Sequence, residues 1–141
     1  FSLGALAAPA AQRLAPVAPR WTVLAYGGTP FGPLIAANPH LKPRWIGPVL
    51  GGAADLFLRP LEPGAHLPHL EGRFLVLEGE TDAFVPAAAA ARFRDLTPAP
   101  KRVIAFPGDH LGVGPHQRAL LERIVAESRA WLIEEGAANR P

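Results

Sequence analysis

Residues 73–86 read RFLVLEGETDAFVP, and this stretch decides the fold. The run from Phe74 to Leu77 is continuously apolar and ends at Gly79, which predicts a strand buried on both faces. Pro86 suits the first turn of a helix, and the alanine-rich residues 87–96 continue that helix. A buried strand, a polar loop and a helix in this order predict one unit of an α/β protein.

The same alternation extends on both sides of this stretch. Trp21–Tyr26 and Val103–Phe106 are further apolar runs and predict two more buried strands. At both ends of the chain, apolar residues recur at the spacing of one helix face. In the first helix they are Leu3, Leu6, Ala7, Ala10, Ala11 and Leu14, with Pro9 expected to kink or weaken it. In the last helix the stripe is Leu120, Leu121, Ile124, Val125, Ser128 and Leu132. We therefore predict an α/β fold, a three-layer sandwich in which helices cover both faces of a parallel sheet.

Residues 29–68 interrupt the alternation. They contain eight prolines, which exclude a long helix or a central strand and leave room for one short helix over Val49–Leu58. A structureless excursion of this length is typical of a lid or binding loop. We therefore predict a single domain over residues 1–141 in which residues 29–68 form a lid. Its candidate substrate contacts are the apolar residues Phe31, Leu34, Trp45 and Phe57.

The composition excludes several classes of function. The chain has 141 residues, the size of one domain, and 49% of them are apolar, which is enough for a core. The formal charge is only +2 and no run of basic residues is present, so we expect no nucleic-acid partner. The lack of cysteine excludes disulfides, thiolate zinc sites, iron–sulfur clusters and cysteine nucleophiles.

The sequence also contains no candidate membrane span or leader. No apolar stretch reaches the roughly 18 residues that a spanning helix needs. The apolar opening residues lack the basic n-region of a signal peptide. We therefore expect a cytoplasmic protein.

Three residues with catalytic side chains lie in loops at one edge of the predicted sheet. Ligands of open parallel sheets bind at the carboxyl ends of the strands. Asp82 follows the second strand, His110 follows the third, and Ser2 precedes the first helix. Taken singly, each also has a structural interpretation, because serine caps helices, aspartate favours turns and histidine is common in loops. Three other carboxylates compete with Asp82 for the partnership with His110, namely Glu78, Glu80 and Asp109.

The order of these residues and the types of loop resemble the α/β-hydrolase family. Residues 1–4, Phe-Ser-Leu-Gly, resemble the last four positions of its Gly-x-Ser-x-Gly nucleophile elbow. Residues 79–86 resemble its acid loop and residues 107–112 its histidine loop, in the family order Ser, Asp, His. The resemblance implies the C-terminal half of a hydrolase domain.

The resemblance also implies a set of roles. Ser2 would be the nucleophile, His110 the general base and acid, and Asp82 the residue that orients the imidazole. The Leu3 backbone N–H would stabilise the oxyanion, and Gly4 would let the first helix approach closely. The expected reaction is hydrolysis of a small-molecule ester or related acyl substrate through an acyl-enzyme, without a cofactor. Peptidases, thioesterases and cofactor-free haloperoxidases share this framework and stay open as alternatives.

Two further hypotheses are a metal site and an incomplete domain. His40, His66, His69 and Glu71 could hold a metal, but Pro68 prevents the regular helical spacing that would present two rings on one face, so we predict no metal site. The chain could instead be an incomplete half-domain that is inert alone or pairs with a partner. In that case the strand nearest the elbow would be unpaired, and its edge could support self-association.

Overall fold

A computed structural model describes residues 1–108, 110 and 117–136. The three strands are β1 (Trp21–Ala25), β2 (Arg73–Gly79) and β3 (Lys101–Phe106). The six helices of the described residues are α1 (Leu3–Leu14), α2 (Phe31–Ala37), α3 (Ile46–Phe57), α4 (Pro63–His66), α5 (Ala87–Leu96) and α6 (Arg118–Glu134). Two short 3-10 turns, Arg59–Leu61 and Leu67–His69, flank α4. Asp109 and Gly112, which the sequence placed in the histidine loop, lie outside the described residues.

The strands form one parallel sheet in the order β1-β2-β3. Ala25 of β1 is paired with Leu77 of β2, and Gly79 of β2 is paired with Phe106 of β3. All three strands therefore end at the same edge of the sheet. The predicted α/β fold with a parallel sheet is confirmed.

Helices cover both faces of this sheet. One face packs against α6 through Leu75, Leu77 and Phe106, which contact Ile124 and Trp131. The opposite face packs against α5 and the turn at Leu67–His69; its buried members are Leu24, Phe74, Phe93, Leu67 and Leu70. Since successive side chains of a strand point to opposite faces, β2 has to be apolar at every central position. The sheet is therefore the middle layer of three, with helices packed on each of its faces.

The buried face of α1 differs from the predicted one. Leu3 and Leu14 are 76% and 79% exposed, whereas Ala5 and Pro9, which lie outside the predicted stripe, are buried. Of the predicted stripe, Ala10 is buried as expected. Gln12 explains this rotation, because its side chain accepts a hydrogen bond from Thr22 of β1 and donates one to the Glu71 carbonyl. The small residues of α1 therefore face the core. The helix also continues through Pro9, which is buried within it.

The third strand and the last helix are more exposed than predicted. β3 begins two residues earlier, at Lys101, and Val103 is 37% exposed because β3 is an edge strand of the described sheet. In α6 the predicted stripe holds at Ile124, which is buried, and at Leu120 and Leu132, which are partly buried against the same cluster. Leu121 and Val125 are exposed, whereas Trp131 is buried. Trp131 belongs to the core cluster on this face of the sheet.

Residues 29–68 contain α2, α3 and α4, which corrects the prediction of a structureless excursion. The one short helix expected there, over Val49–Leu58, is present as α3. The prolines lie largely at or near helix starts, as Pro30, Pro48 and Pro63 do, where a missing N–H costs little. α2 and α3 pack closely because glycines meet across their interface. An added Cβ on Gly51 would lie 2.6 Å from the Gly32 carbonyl oxygen, and one on Gly47 would lie 2.7 Å from the Ala36 carbonyl oxygen.

Two carboxylates, Glu62 and Asp55, accept backbone hydrogen bonds within this helical segment. Glu62 accepts hydrogen bonds from the Thr29 hydroxyl, from the Phe31 N–H at 3.0 Å and from the Gly64 N–H at 3.3 Å. It therefore satisfies backbone donors at the starts of both α2 and α4. Asp55 of α3 accepts a further hydrogen bond from the Gly32 N–H at 2.6 Å.

None of the helices within the described ranges is both long and apolar enough to cross a membrane. In the described part of the chain, β1 pairs with a strand on one side only. Self-association through this edge stays a prediction.

We expect the neighbouring residues Gly51 and Gly52 to respond oppositely to alanine. Gly51→Ala should lower the free energy of unfolding by about 1–3 kcal/mol, because its methyl group would push α2 away from α3. Gly52 is exposed and a methyl group there meets no described atom within 4 Å. Gly52→Ala should therefore raise the free energy of unfolding by about 0.5–1 kcal/mol through helix propensity. Chemical denaturation followed by circular dichroism measures the free energy of unfolding of both variants. Equal changes in the two variants would contradict the close contact of Gly51 with α2.

Candidate active site

Ser2 lies on a tight turn between the sheet edge and α1. Its φ of 47° is in the left-handed region that side chains rarely adopt. The Ser2 N–H donates to the Ala25 carbonyl at 2.8 Å, and the Ser2 carbonyl accepts from the Ala5 N–H, also at 2.8 Å. This turn fastens the start of α1 to the end of β1. The strain at Ser2 is of the kind that clusters at functional sites.

The next two residues complete the turn. The Leu3 N–H is the first donor of α1 and has no backbone acceptor among the described residues. An anion beside Ser2 would therefore meet an unused donor at the positive end of the helix dipole. A Cβ on Gly4 would meet no described atom within 4 Å, so the described residues do not show the close approach expected at this position.

The structure brings Ser2, His110 and Asp82 into one hydrogen-bonded chain. Ser2 Oγ lies 2.9 Å from His110 Nε2, and His110 Nδ1 lies 2.6 Å from Asp82 Oδ2. The side chains of His110 and Asp82 are 12% and 4% exposed. A carboxylate can only accept, so Nδ1 carries the hydrogen and Nε2 is left to accept the Ser2 hydroxyl proton. This arrangement can move a proton from serine oxygen to imidazole.

Asp82 is held by its own loop. Its Oδ1 accepts hydrogen bonds from the Phe84 N–H at 2.8 Å and the Val85 N–H at 2.9 Å. Both carboxylate oxygens are thus used, one by the backbone and one by His110. Of the competing carboxylates, Glu78 forms an ion pair with Arg94 at 2.6 Å. Glu80 is exposed on the turn after β2.

Two aromatic rings flank the imidazole of His110. Tyr26 meets it edge to face, with ring centroids 5.3 Å apart and planes at 78°. Phe84 lies on another side, with centroids 5.2 Å apart and a tilt of 48°. The rings limit the rotamers that His110 can adopt and exclude water from its sides.

Tyr26 is a residue that sequence reasoning missed. The sequence predicts it as the last residue of the first strand, whereas β1 ends at Ala25 and the φ of 58° at Tyr26 turns the chain. The residue is almost completely buried. Burial, and secondarily the Asp82 carboxylate, raises the pKa of the Tyr26 hydroxyl above its ordinary value. The sequence feature that could have identified Tyr26 as a site residue is its position at the carboxyl end of a parallel strand, next to Gly27.

A small cavity opens beside Ser2. Its volume is about 180 Å³, and its walls are mostly apolar. The lining residues are Ser2, Leu3, Leu6, Tyr26, Leu34, Ile35, Asn38, Phe84, Val85 and His110. Of the four lid residues named from the sequence, Leu34 lines this cavity. Phe31 is buried behind it in the same apolar cluster, whereas Trp45 and Phe57 are 69% and 76% exposed and lie away from it.

A larger cavity, of about 670 Å³, lies at the opposite end of the sheet. Its walls include Arg20, Trp21 and the ion pair between Arg73 and Glu135. The side chains that line it offer charge but neither a hydroxyl nucleophile nor an imidazole. Among the described residues, the hydroxyl of Ser2, the imidazole of His110 and the carboxylate of Asp82 lie together at the carboxyl edge of the sheet.

Within the described residues, His40, His66 and His69 do not gather with carboxylates. His66 Nε2 lies 2.8 Å from the Pro60 carbonyl oxygen, and His40 packs against Phe84 with centroids 5.5 Å apart. No group of three or more metal-ligating side chains gathers anywhere in residues 1–108, 110 and 117–136.

Solved structures with a similar fold include several hydrolases. A puromycin hydrolase is similar with a TM-score of 0.62 and 18% identity, covering 99% of this chain and 22% of its own. AbyA5 is similar with a TM-score of 0.59 and 19% identity, covering 97% of this chain and 45% of its own. The 2,6-dihydroxy-pseudo-oxynicotine hydrolase is similar with a TM-score of 0.55 and 21% identity, covering 87% of this chain and 37% of its own. No protein-family model and no curated protein match the chain.

These comparisons establish the fold. The described residues adopt the α/β-hydrolase fold, as the sequence resemblance implied. The chain spans less than half the length of each of these structures. At identities of 21% or less, the likeness concerns the fold alone.

We expect Asp82 to contribute to stability through the amides that it accepts. Asp82→Ala should lower the free energy of unfolding by about 1–3 kcal/mol, because two backbone N–H groups lose their acceptor. Asp82→Asn retains an oxygen for them and should cost less. Asp95→Ala is the control, since its side chain is 75% exposed and should change stability by less than about 0.5 kcal/mol. Thermal and chemical denaturation measure these changes. An Asp82→Ala protein with an unchanged free energy of unfolding would show that Asp82 does not stabilise its loop.

Proposed function

We propose that this chain carries the catalytic residues of a serine hydrolase that cleaves carboxylic esters through an acyl-enzyme. The observation that carries the proposal is the continuous chain from Ser2 Oγ through His110 to Asp82 at distances of 2.9 and 2.6 Å. A hydroxyl nucleophile needs an adjacent base, and the base needs a partner that fixes its tautomer. The hydrolase fold of the described residues supports the same reaction class.

In the first half-reaction Ser2 Oγ attacks the ester carbonyl carbon and its proton passes to His110 Nε2. The imidazolium that forms is stabilised by the Asp82 carboxylate, which stays ionised. The negative charge that develops on the carbonyl oxygen is met by the Leu3 N–H at the start of α1. Collapse of the tetrahedral intermediate breaks the bond to the alcohol oxygen, which takes the proton from His110. The acyl group remains on Ser2.

In the second half-reaction water replaces the alcohol. His110 Nε2 accepts a proton from the attacking water, whose oxygen bonds to the acyl carbon. The intermediate collapses, the bond to Ser2 Oγ breaks, and the serine recovers its proton from His110. A carboxylic acid leaves and the resting arrangement is restored.

The apolar cavity supports a small uncharged acyl group as substrate. Leu34 and Ile35 of α2 form one wall and Leu6 of α1 forms another. Residues 29–68 would therefore act as a helical cover over the site, with α2 in contact with substrate and α3 supporting α2. A charged acyl group would lose its hydration against these walls without a counter-charge.

Ser2 should be labelled by a fluorophosphonate probe in the full-length protein. The probe needs an activated hydroxyl, which the 2.9 Å contact with His110 provides. The chain offers a matched control, because Ser128 is its second and last serine. Ser128 donates its hydroxyl to the Ile124 carbonyl at 2.7 Å and has no imidazole beside it. Ser128→Ala should leave labelling intact and Ser2→Ala should abolish it. Labelling that survives Ser2→Ala would remove Ser2 from the mechanism.

Steady-state turnover of an aryl ester should separate the roles of Ser2 and Asp82. Ser2→Ala should lower kcat by about 10⁴–10⁶, because it removes the nucleophile. Asp82→Asn should lower kcat by about 10⁴, because the amide can donate to Nδ1 and favours the wrong imidazole tautomer. Glu80→Gln, an exposed carboxylate after the same strand, serves as the control and should stay near wild type. If Glu80→Gln were the more damaging change, the assignment of the acid would be wrong.

A further inference from the structure

Helix α3 buries its small residues and turns its large ones toward solvent. Its buried members are Gly47, Gly51 and Ala54, and the two glycines lie against α2. Helices at the surface of a soluble protein normally carry polar side chains on their outward side. On α3 and at the residue before it, the outward side chains are large, apolar and 61% to 76% exposed: Trp45, Val49, Leu56 and Phe57. Exposed apolar side chains gathered in this way mark an interaction surface.

These side chains form a stripe along the helix. Trp45, Val49 and Leu56 recur at the spacing of one helix face, so they lie on the same side of α3. Asp55 is the one charged residue of α3, and its Oδ1 accepts a hydrogen bond from the Gly32 N–H at 2.6 Å. The carboxylate therefore lies at the α2 side of the stripe. We call the stripe, together with Phe57 and the basic residues at its ends, the α3 surface.

Both ends of the α3 surface are positively charged. Lys42 and Arg44 precede the stripe and Arg59 follows it, and all three side chains are exposed. None of the ion pairs among the described residues involves them. From residue 38 to residue 61 the sequence contains no acidic residue besides Asp55. The partner of this surface must therefore accept apolar side chains in its centre and cations at its margins.

A membrane surface that contains anionic lipids meets both requirements. Its acyl region takes up apolar side chains, and its phosphates attract lysine and arginine. Trp45 lies between Arg44 and the rest of the stripe, and tryptophan prefers the level of the lipid headgroups. A second copy of the chain is a poorer partner, because either orientation of two α3 surfaces would bring basic ends together.

We propose that the α3 surface docks on a membrane surface containing anionic lipids, with α3 lying in the plane of the interface. Lys42, Arg44 and Arg59 would contact lipid phosphates while Val49 and Leu56 enter the acyl region. The contact is interfacial, since none of the helices in the described part of the chain is long and apolar enough to cross a membrane. This inference goes beyond the proposed reaction and does not depend on it.

Vesicle sedimentation tests the docking. The protein is mixed with vesicles of phosphatidylcholine alone, or with vesicles of equal parts phosphatidylcholine and phosphatidylglycerol, at physiological ionic strength. We expect the partition coefficient to be about tenfold higher or more on the anionic vesicles, because the basic side chains meet lipid phosphates. High salt should remove this difference, since it screens the charges.

Variants of the stripe test its apolar part. Val49→Ser combined with Leu56→Ser should lower binding to the anionic vesicles by about tenfold or more, because two aliphatic side chains no longer enter the lipid. Leu121→Ser combined with Val125→Ser is the matched control, since these residues are exposed aliphatics on α6, and it should bind like the wild type. Both double variants should keep the wild-type melting temperature, because the altered side chains are exposed.

Variants of the basic ends test the charge. Lys42→Gln combined with Arg44→Gln should lower binding to the anionic vesicles by about tenfold and leave binding to phosphatidylcholine unchanged. Arg92→Gln combined with Arg129→Gln removes the same charge from exposed residues of α5 and α6, and should have little effect. Equal losses for the two pairs would overturn the proposal, because net charge rather than the α3 surface would then cause the binding.

The fluorescence of Trp45 shows which face meets the lipid. On anionic vesicles its emission should move to shorter wavelength and be quenched by brominated lipids, and Trp45→Phe should remove both changes. Protection of Trp45 from acrylamide without vesicles would overturn the proposal, since another segment or a second copy would then cover it. Absence of binding to anionic vesicles, or binding that survives Val49→Ser with Leu56→Ser, would also overturn it. No measurement here uses turnover, so its failure leaves the proposed reaction standing, and unlabelled Ser2 leaves the docking standing.

Discussion

The hydrogen bond from the Ser2 N–H to the Ala25 carbonyl, at 2.8 Å, is the contact on which the site depends. Ala25 is the last residue of β1, so the bond fixes the start of α1 at the carboxyl edge of the sheet. The pairing of Ala25 with Leu77 aligns that edge with the end of β2, from which the loop carrying Asp82 departs. A shift of this contact would move the serine away from His110, and a displacement of about 1 Å is enough to impair catalysis.

Unfavourable backbone conformations are concentrated at this edge. In the described residues, Ser2 and Tyr26 are the non-glycine residues with positive φ. Such conformations cost about 1–3 kcal/mol each and persist only where surrounding contacts hold them. Here the holding contacts are the bond to Ala25 and the bond from the Tyr26 N–H to the Leu77 carbonyl at 2.8 Å. The sheet thus stabilises the turns that present both side chains to the cavity.

The helical cover depends on two different interactions. Close contact of α2 with α3 requires glycine at Gly47 and Gly51, because a Cβ at either position would lie less than 3 Å from a backbone carbonyl oxygen of α2. The starts of α2 and α4 are held by Glu62, whose charged oxygens accept several donors and so bind them more strongly than neutral acceptors. These contacts set where Leu34 and Ile35 meet the cavity, and therefore the shape of the space next to Ser2.

The sequence by itself determined the order of strands and helices, since apolar runs and helical periodicity are local properties. It also pointed to Ser2, Asp82 and His110, because each lies in a loop after a strand or before a helix. The helices of residues 29–68 were not predictable from it, since proline counts do not say which prolines start helices. The rotation of α1 and the position of Tyr26 were decided by tertiary structure alone. Gln12 turns α1 by bonding residues distant in sequence, and the Tyr26 ring acquires its role only where β1 and the loop of His110 meet.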